Sequence, residues 1–319
     1  MDGTALLDIR QLTAGYPDGA TVLRDVSLKI HPKEILCVIG ESGCGKSTLL
    51  NAILRLPGRV EIQSGEILFQ GRDLREMDKK ALSAVRGTGI GVVYQEPGAS
   101  LNPIRRIDAQ FYDALCAHGK ITKTESREKA ERLLAAMDLN EPARILKSCP
   151  AQLSGGMNQR VAIALAMALS PDVLLADEPT SALDVTVQSQ IVEELIRLRD
   201  DYGTALLWVT HNMGVVAKAA DTVVVMYCGK VVEYGMREEV LRTPAHPYTR
   251  ALLEAIPKLD GTPPKGIPGS RPRHYDGRGC AFAGRCPHCG GNCHADTLAP
   301  VHLGGDHWAL CGSVSLPNL

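Results

Sequence analysis

The stretch Gly40-Glu41-Ser42-Gly43-Cys44-Gly45-Lys46-Ser47 decides the fold of this chain. It follows an apolar run predicted as a strand (34–39) and precedes a run predicted as a helix, which begins at Thr48. Its glycines let consecutive backbone N–H groups curl around a polyphosphate, and the helix N-terminus adds its positive dipole end. We expect Lys46 to reach the β and γ phosphates and the Ser47 hydroxyl to ligate Mg²⁺. The pattern therefore predicts a P-loop that binds a nucleoside triphosphate.

Composition and charge narrow the class of protein. The chain has 319 residues, of which 45% are hydrophobic, and a net charge of −1. That length suits one large domain with a smaller appendage, and the absence of a basic excess argues against a dedicated nucleic-acid binder. No apolar run approaches the roughly 18 residues that span a bilayer, and Met1–Thr4 does not begin a signal peptide. We therefore expect a protein made and kept in the cytoplasm.

The pattern of apolar residues predicts an α/β fold. Alternation predicts strands at 7–12, 22–30 and 65–69, apolar runs predict buried strands at 90–94, 173–176 and 205–209, and a last strand pair is expected at 222–227 and 230–234. Helical periodicity dominates 105–169 and 185–200. After about Pro257 the chain becomes rich in Pro, Gly and Cys, so we expect a domain boundary there.

Two further motifs carry chemistry. Asp177 and Glu178 end the predicted strand 173–176, where Asp177 is expected to coordinate Mg²⁺ through water and Glu178 to polarise an attacking water. Ser154-Gly155-Gly156 precedes an apolar helix and forms a second helix N-terminus suited to phosphate. One bound nucleotide does not need two phosphate-binding helix N-termini. The second one therefore indicates that a second molecule takes part.

The order and spacing of these motifs resemble those of ABC-transporter ATPase subunits over roughly residues 5–255. The motifs that carry this resemblance also include Tyr94-Gln95-Glu96, residues 174–184 and Thr210-His211. The segments 95–103, 184–188 and 246–253 resemble the dipeptide/oligopeptide/nickel importer group. The resemblance implies a P-loop ABC ATPase core in residues 1–257. This core combines a mixed sheet with an antiparallel β subdomain and a helical subdomain at about 97–165.

The resemblance also assigns roles to single residues. Tyr16 resembles the aromatic residue that stacks on adenine, and Gln95 resembles the residue that reaches the Mg²⁺ and the water. His211 resembles the histidine that holds the γ-phosphate, and Asp184 resembles a contact across a dimer. The implied catalytic residues are Glu178, His211 and Gln95, the implied Mg²⁺ ligands are Ser47, Gln95 and Asp177, and the implied ATP-binding residues are Tyr16, Gly40, Glu41, Ser42, Gly43, Cys44, Gly45, Lys46, Ser47 and Thr48.

The implied activity is ATP hydrolysis that energises an importer of peptides or related small solutes such as nickel complexes. Ser154, Gly155 and Gly156 of one subunit would act on ATP held by the other. The implied partners are a second, non-identical ATPase subunit, two transmembrane permease subunits and an extracytoplasmic substrate-binding protein, without nucleic acid. The chain would then lie peripherally at the cytoplasmic face of the inner membrane. Asn158 stands where this group most often carries Arg, which leaves open a changed hydrolysis rate at that composite site.

Five of the ten cysteines lie in the last forty residues, namely Cys280, Cys286, Cys289, Cys293 and Cys311. Disulfides are rare in the cytosol, so this spacing predicts that 258–319 is a Cys-rich metal-binding extension. Four thiolates, Cys280, Cys286, Cys293 and Cys311, can hold a [4Fe–4S] cluster or a tetrahedral zinc. The resemblance implies the iron–sulfur cluster. Zinc stays open, because Cys286 and Cys289 have a zinc-like spacing with histidines nearby, and thiols that hold no metal are the third alternative.

Two other functions are considered for this sequence, one for the ATPase core and one for the extension. An ABC-type ATPase that works on nucleic acid or ribosomes would call for a basic face or a long coiled-coil insertion, and neither is present in the sequence. The extension could act as an independent metal-binding or sensing module, which deletion of 260–319 would separate from a transport role. The cargo is not encoded in this chain, so dipeptides, longer peptides, nickel complexes, opines and haem all stay open.

Overall fold

The computed structural model describes residues 4–181, 183–257, 263–272 and 274–313. The strands are β1 (Leu7–Gly15), β2 (Thr21–Ile30), β3 (Ile35–Ile39), β4 (Glu61–Phe69), β5 (Arg72–Asp73), β6 (Ile90–Val93), β7 (Val173–Asp177), β8 (Ala205–Val209), β9 (Thr222–Tyr227), β10 (Lys230–Met236), β11 (Val301–Gly304) and β12 (His307–Ala309). The α-helices are α1 (Lys46–Leu54), α2 (Lys79–Thr88), α3 (Ile107–Cys116), α4 (Lys123–Ala136), α5 (Pro142–Lys147), α6 (Gly155–Ala166), α7 (Val185–Tyr202), α8 (Met213–Ala219), α9 (Arg237–Arg242) and α10 (Pro247–Glu254).

The chain forms two compact units. The first unit consists mainly of Glu76–Val209 with Ile30–Ile35, and the second consists mainly of Leu7–Lys29, Leu36–Arg75 and the chain from Thr210 onward. The boundary expected between residues 257 and 258 adjoins residues 258–262, which lie outside the described residues.

The first unit contains a parallel sheet with helices. Its strands pair in the order β8-β7-β6, with Val173 opposite Ala205 and Ile90 opposite Val173. All five residues of β8 are buried, as expected for a central parallel strand that is covered on both faces. Helices α3 to α6 pack against one another. Their core includes Phe111 and Leu134, and burying such a side chain contributes about 1.5–3 kcal/mol.

The second unit contains two sheets. The antiparallel sheet has the order β2-β1-β4-β5. In the second sheet β3 pairs with β9 in parallel, while β9-β10, β10-β12 and β11-β12 are antiparallel pairs. The sheet is therefore mixed, as the α/β expectation required. Its last two strands come from the Cys-rich extension, so residues 301–309 continue the sheet beyond β10.

Strand β4 begins earlier than the predicted strand at 65–69. Its N-terminal half is largely exposed, so the apolar alternation used for prediction is absent there. Gly65 has φ 90°, and a Cβ at this position would lie 2.5 Å from the carbonyl oxygen of Gln11. Glycine therefore permits the close approach of β4 to β1, where the pairing register shifts.

The remaining predicted elements agree closely with the structure. The helical run 185–200 is α7, and the final strand pair is β9 and β10, joined by Cys228 and Gly229. None of the helices in the described part of the chain is both long and apolar enough to cross a membrane.

Candidate active site

The phosphate-binding loop, Gly40–Ser47, follows β3 and ends in the first turn of α1, in the second unit. Gly40, Gly43 and Gly45 have φ values of 154°, 74° and 110°, all in the region that favours glycine. A Cβ on Gly40 would lie 2.2 Å from the carbonyl oxygen of Met226, so any larger residue would displace backbone. The loop therefore has the conformation that its glycine spacing predicted.

Lys46 folds back over this loop. Its Nζ donates to the carbonyl oxygens of Gly40 and Glu41 at 2.7 and 3.2 Å, and the residue is only 6% exposed. Both acceptors are neutral, so the ammonium is held in place while its charge remains for an anion. Burial raises the pKa of the Cys44 thiol, and Cys44 therefore stays neutral beside Lys46.

Four other predicted residues of the second unit lie at its surface or at the start of α1. Ser47 is exposed in the first turn of α1, whereas Thr48 is buried. Tyr16 is 47% exposed, in a turn where its N–H donates to the carbonyl oxygen of Ala20 at 2.9 Å. His211 is exposed just before Asn212, whose side chain caps α8. The Tyr16 ring is thus presented on the surface.

In the first unit, Asp177 ends β7 and Glu178 follows it with φ 44°. A left-handed conformation costs an L-residue roughly 1–2 kcal/mol. The Glu178 N–H donates to the carbonyl oxygen of Val209 at 2.9 Å, which holds this backbone in place.

Gln95 joins Glu178 in a hydrogen-bonded cluster. Its Nε2 lies 3.4 Å from Glu178 Oε2 and donates to Ser181 Oγ at 3.0 Å. The Ser181 hydroxyl in turn donates to the carbonyl oxygen of Glu178 at 3.2 Å. The structure therefore brings together two predicted residues and adds Ser181. The sequence motif contained Ser181, but nothing in the pattern indicated a role for it.

The signature segment, Ser154–Gly156, begins α6. Ser154 caps the helix by accepting from the N–H of Met157 at 3.3 Å, and a Cβ on Gly155 would meet open space. Together with Asp184, the segment lines a cavity of about 340 Å³. The structure thus places the predicted second phosphate cradle beside Asp184. Asn158, one turn into the helix, donates to the carbonyl oxygen of Pro150 at 3.0 Å.

Several contacts to the phosphate-binding loop could not be predicted from the sequence. Tyr248 accepts from the N–H of Glu41 at 2.8 Å, and Arg285 forms an ion pair with the Glu41 carboxylate. Arg271 donates to the carbonyl oxygens of Ser42 and Gly43. Tyr248 belongs to the segment 246–253, which pointed to a family but not to this contact.

The cysteines of the extension lie near one another. The N–H of Cys280 donates to the carbonyl oxygen of Cys293 at 2.8 Å, and both Cys293 and Cys311 are buried. Burial raises the pKa of Cys280 to about 11, with smaller contributions from Cys293, Cys311 and Cys286. Yet within 263–272 and 274–313, as in the other described parts, no group of three or more His, Cys, Asp or Glu is arranged to hold a metal ion. The structure therefore does not support the expected iron–sulfur or zinc site.

Comparison with known proteins agrees with this geometry. Residues 23–181 match the ABC transporter family, and residues 232–293 match the C-terminal region of oligopeptide/dipeptide transporters. The chain is 40% identical to the dipeptide transport ATP-binding protein DppD of Bacillus subtilis, over 88% of this chain and 87% of that protein. It is 39% identical to the oligopeptide transport ATP-binding protein OppD of Salmonella typhimurium, over 89% of this chain and 86% of that protein.

A solved structure of an ABC transporter cassette is also similar to this chain. The ATP-binding cassette MJ0796, in a dimeric post-hydrolysis state bound to ADP and Pi, superposes with a TM-score of 0.64 at 29% identity. The match covers 72% of this chain and 98% of that chain. The phosphate-binding loop, the Gln95–Glu178 cluster and the signature segment thus lie in a chain whose relatives are ATP-binding transport subunits. The chain belongs to the ABC transporter family, in its oligopeptide/dipeptide group, and it is an ATPase.

Proposed function

We propose that this chain energises the import of peptides or related small solutes by binding and hydrolysing ATP. One observation carries the proposal: a phosphate-binding loop with Lys46 folded across it occurs in the same chain as a C-terminal region of the oligopeptide/dipeptide type. The first feature suits ATP, and the second suits the cargo class of the relatives. Nickel complexes, opines and haem are the alternative cargoes.

Within this proposal the residues divide by task. Backbone N–H groups of the loop and Lys46 bind the phosphates, Tyr16 stacks on adenine, and His211 contacts the γ-phosphate. Glu178 accepts a proton from the attacking water, and Gln95, which contacts Glu178, orients that water. The hydroxyl of Ser47, the amide of Gln95 and the carboxylate of Asp177 are oxygen donors suited to Mg²⁺, which neutralises phosphate charge when bound.

The signature segment acts on the nucleotide of another subunit. Ser154 and Gly155 are exposed at a helix N-terminus, which favours an anion brought by a second molecule. Asp184 lines the same cavity and would contact that molecule as well. Closure over two nucleotides would then exclude water and complete the charge clamp.

The remaining partners follow from the importer role. They are a second, non-identical ATPase subunit, two transmembrane permease subunits and an extracytoplasmic substrate-binding protein. The chain would be attached at the cytoplasmic face of the membrane through the permease. Residues 1–257 form the ATP-binding domain, with a helical subdomain at about 97–165, and 258–319 form the extension.

The transport role is tested by reconstitution in liposomes with both permease subunits, the second ATPase and the binding protein. We expect uptake of labelled peptides that depends on ATP and is lost in the Lys46→Ala variant. Mass spectrometry of the ligand bound to the complex would identify the cargo. Uptake that Lys46→Ala leaves unchanged would contradict the proposal.

We also propose that Cys280, Cys286, Cys293 and Cys311 hold a metal centre, a [4Fe–4S] cluster in preference to zinc. Their proximity supports it, although the thiols are not arranged as ligands in the structure. Protein purified without oxygen should be brown, with broad visible absorbance that bleaches on reduction. Colourless protein with stoichiometric zinc would reverse the choice of metal, and protein without either metal would remove the proposal.

A further inference from the structure

The Cys-rich extension reaches the phosphate-binding loop through Arg285. The guanidinium nitrogens of Arg285 donate to the two carboxylate oxygens of Glu41 at 2.8 and 3.1 Å. This bidentate arrangement is the strongest geometry of an arginine–carboxylate pair. The Arg285 side chain is 6% exposed and that of Glu41 is 29% exposed, so solvent screens the pair only in part.

Arg285 is itself held in place from several sides. Its Nε donates to the carbonyl oxygen of Pro268 at 2.8 Å, and one terminal nitrogen lies 3.2 Å from the Tyr227 hydroxyl. Phe282, in the turn just before, is buried against the rings of Tyr227 and Tyr248, with centroids 5.4 and 5.3 Å away. The position of the guanidinium is therefore set by packing as well as by its charge partner.

Glu41 is held by hydrogen bonds to both its backbone and its side chain. Its N–H donates to the Tyr248 hydroxyl at 2.8 Å, while its carboxylate accepts from Arg285. Its carbonyl oxygen accepts from Lys46 and from the N–H of Cys44. Arg285 therefore contacts the same residue whose carbonyl oxygen accepts from Lys46.

Arg271 acts on the next two residues of the loop. It donates to the carbonyl oxygens of Ser42 and Gly43, and its guanidinium occupies the space that a Cβ on Gly43 would need. In a trans peptide the C=O and the following N–H point in opposite directions. Holding these two carbonyl groups toward Arg271 therefore directs the N–H groups of Gly43 and Cys44 to the other side of the loop.

We propose that Arg271 and Arg285 of the extension position the phosphate-binding loop for nucleotide, with Arg285 acting through Glu41. The inference rests on the proposed ATP-binding role of the loop, and it assigns Arg285 and Arg271 as positioning residues. ATP then binds a loop whose peptide groups are already oriented. Less of the binding energy is therefore used to order the loop. Disturbance of the extension would weaken ATP binding, although 271–285 contains no residue of the loop itself.

The test measures the dissociation constant of MgATP in the full chain that carries Glu178→Gln, so that hydrolysis does not interfere. Arg285→Ala should weaken binding by about 5- to 50-fold, in the range of typical coupling between sites. Arg285→Lys should restore part of the affinity, and Arg285→Ala combined with Glu41→Gln should be no weaker than the weaker of the two single variants. Arg271→Ala, an exposed substitution that leaves the core intact, should weaken binding by about 2- to 5-fold.

Arg24→Ala is the matched control. Arg24 also connects the extension to the rest of the second unit, by donating to the carbonyl oxygen of Tyr275 at 2.7 Å. Among the described residues its hydrogen bonds go to Thr21, Tyr275 and Gly229, all outside the phosphate-binding loop. We expect it to lower the melting temperature with little change in affinity. Equal MgATP affinity in the Arg285 and Arg271 variants, with only a lower melting temperature, would reduce both arginines to structural roles. A parent protein that does not bind MgATP would overturn the proposed function as well.

Discussion

The phosphate-binding loop and the signature segment each lie at the N-terminus of a helix, but the chain supports them very differently. Lys46 donates to carbonyl oxygens of its own loop, and Tyr248, Arg285 and Arg271 contact the loop from other parts of the second unit. The signature segment is exposed at Ser154 and Gly155. Among the described residues, Ser154 caps its own helix and Gly156 lies close to Val187 of α7.

This difference indicates how the two sites work. A loop held from several sides is preorganised, so one chain can bind the phosphates without help. An exposed cradle beside an open cavity gains a function when another molecule brings the anion to it. Substitutions within this chain are therefore expected to weaken nucleotide binding at the phosphate-binding loop. The signature segment is expected to lose its function when the contact between subunits is changed.

The largest effect should come from Glu178→Gln. Removing the base should slow ATP hydrolysis by about 100- to 10,000-fold, while ATP binding persists because the phosphate-binding loop is unchanged. Closed dimers should then accumulate with ATP. Phosphate release and light scattering measure the two effects, with the exposed Glu141→Gln variant as the control. Normal turnover would remove Glu178 from the mechanism.

Gly155→Asp tests the signature segment directly. A Cβ on Gly155 meets open space, so the fold should tolerate the change, but the carboxylate would repel the γ-phosphate of the partner's ATP. We expect hydrolysis in the assembled complex to fall at least about 10-fold, because the clamp on the phosphate is weakened.

The affinity of the same variant for MgATP at its own loop should not change. Gly119→Asp, also at a glycine with open space, is the control. Lower intrinsic affinity in Gly155→Asp would show that the signature segment serves the nucleotide of its own chain, and the contrast between the two regions would disappear.

A smaller effect is expected for Tyr16→Ala. Aromatic stacking contributes about 0.5–1.5 kcal/mol, so the KM for ATP should rise by about 2- to 12-fold with little change in kcat. Tyr16→Phe keeps the ring and should behave like the parent protein. Tyr202→Ala, a similarly exposed tyrosine of the first unit, serves as the comparison. A normal KM in Tyr16→Ala would leave the ring without a role in binding.

The smallest effect should follow from Asn158→Arg. The substitution removes the hydrogen bond from Asn158 to Pro150, at a cost of about 0.5–1.5 kcal/mol in the free energy of unfolding. Because Ser154 and the glycines face the cavity, hydrolysis in the complex should change by less than about 3-fold. Thermal unfolding and steady-state ATPase rates measure both quantities. A larger change in rate would mean that Asn158 tunes the composite site.

Much of the fold and of the site could be predicted because the relevant signals are local. Strands β8 and β9 are continuous apolar runs, and α7 follows a clear helical period from Asp184, its N-cap. The start of β4 could not be found in this way, because its exposed residues carry no alternation. The metal centre was predicted from the spacing of the cysteines and from the family resemblance, and neither determines the direction of a thiol.

The sequence by itself determined the phosphate-binding loop and the family, since glycines at fixed intervals impose a backbone conformation within eight residues. Tertiary structure decided which groups stabilise that loop. Arg285 is 244 residues from Glu41, and Gln95 is 86 residues from Ser181. Contacts at such separations depend on the path of the whole chain, because side chains this far apart meet only after strands and helices have packed. No local pattern of residues could have placed them.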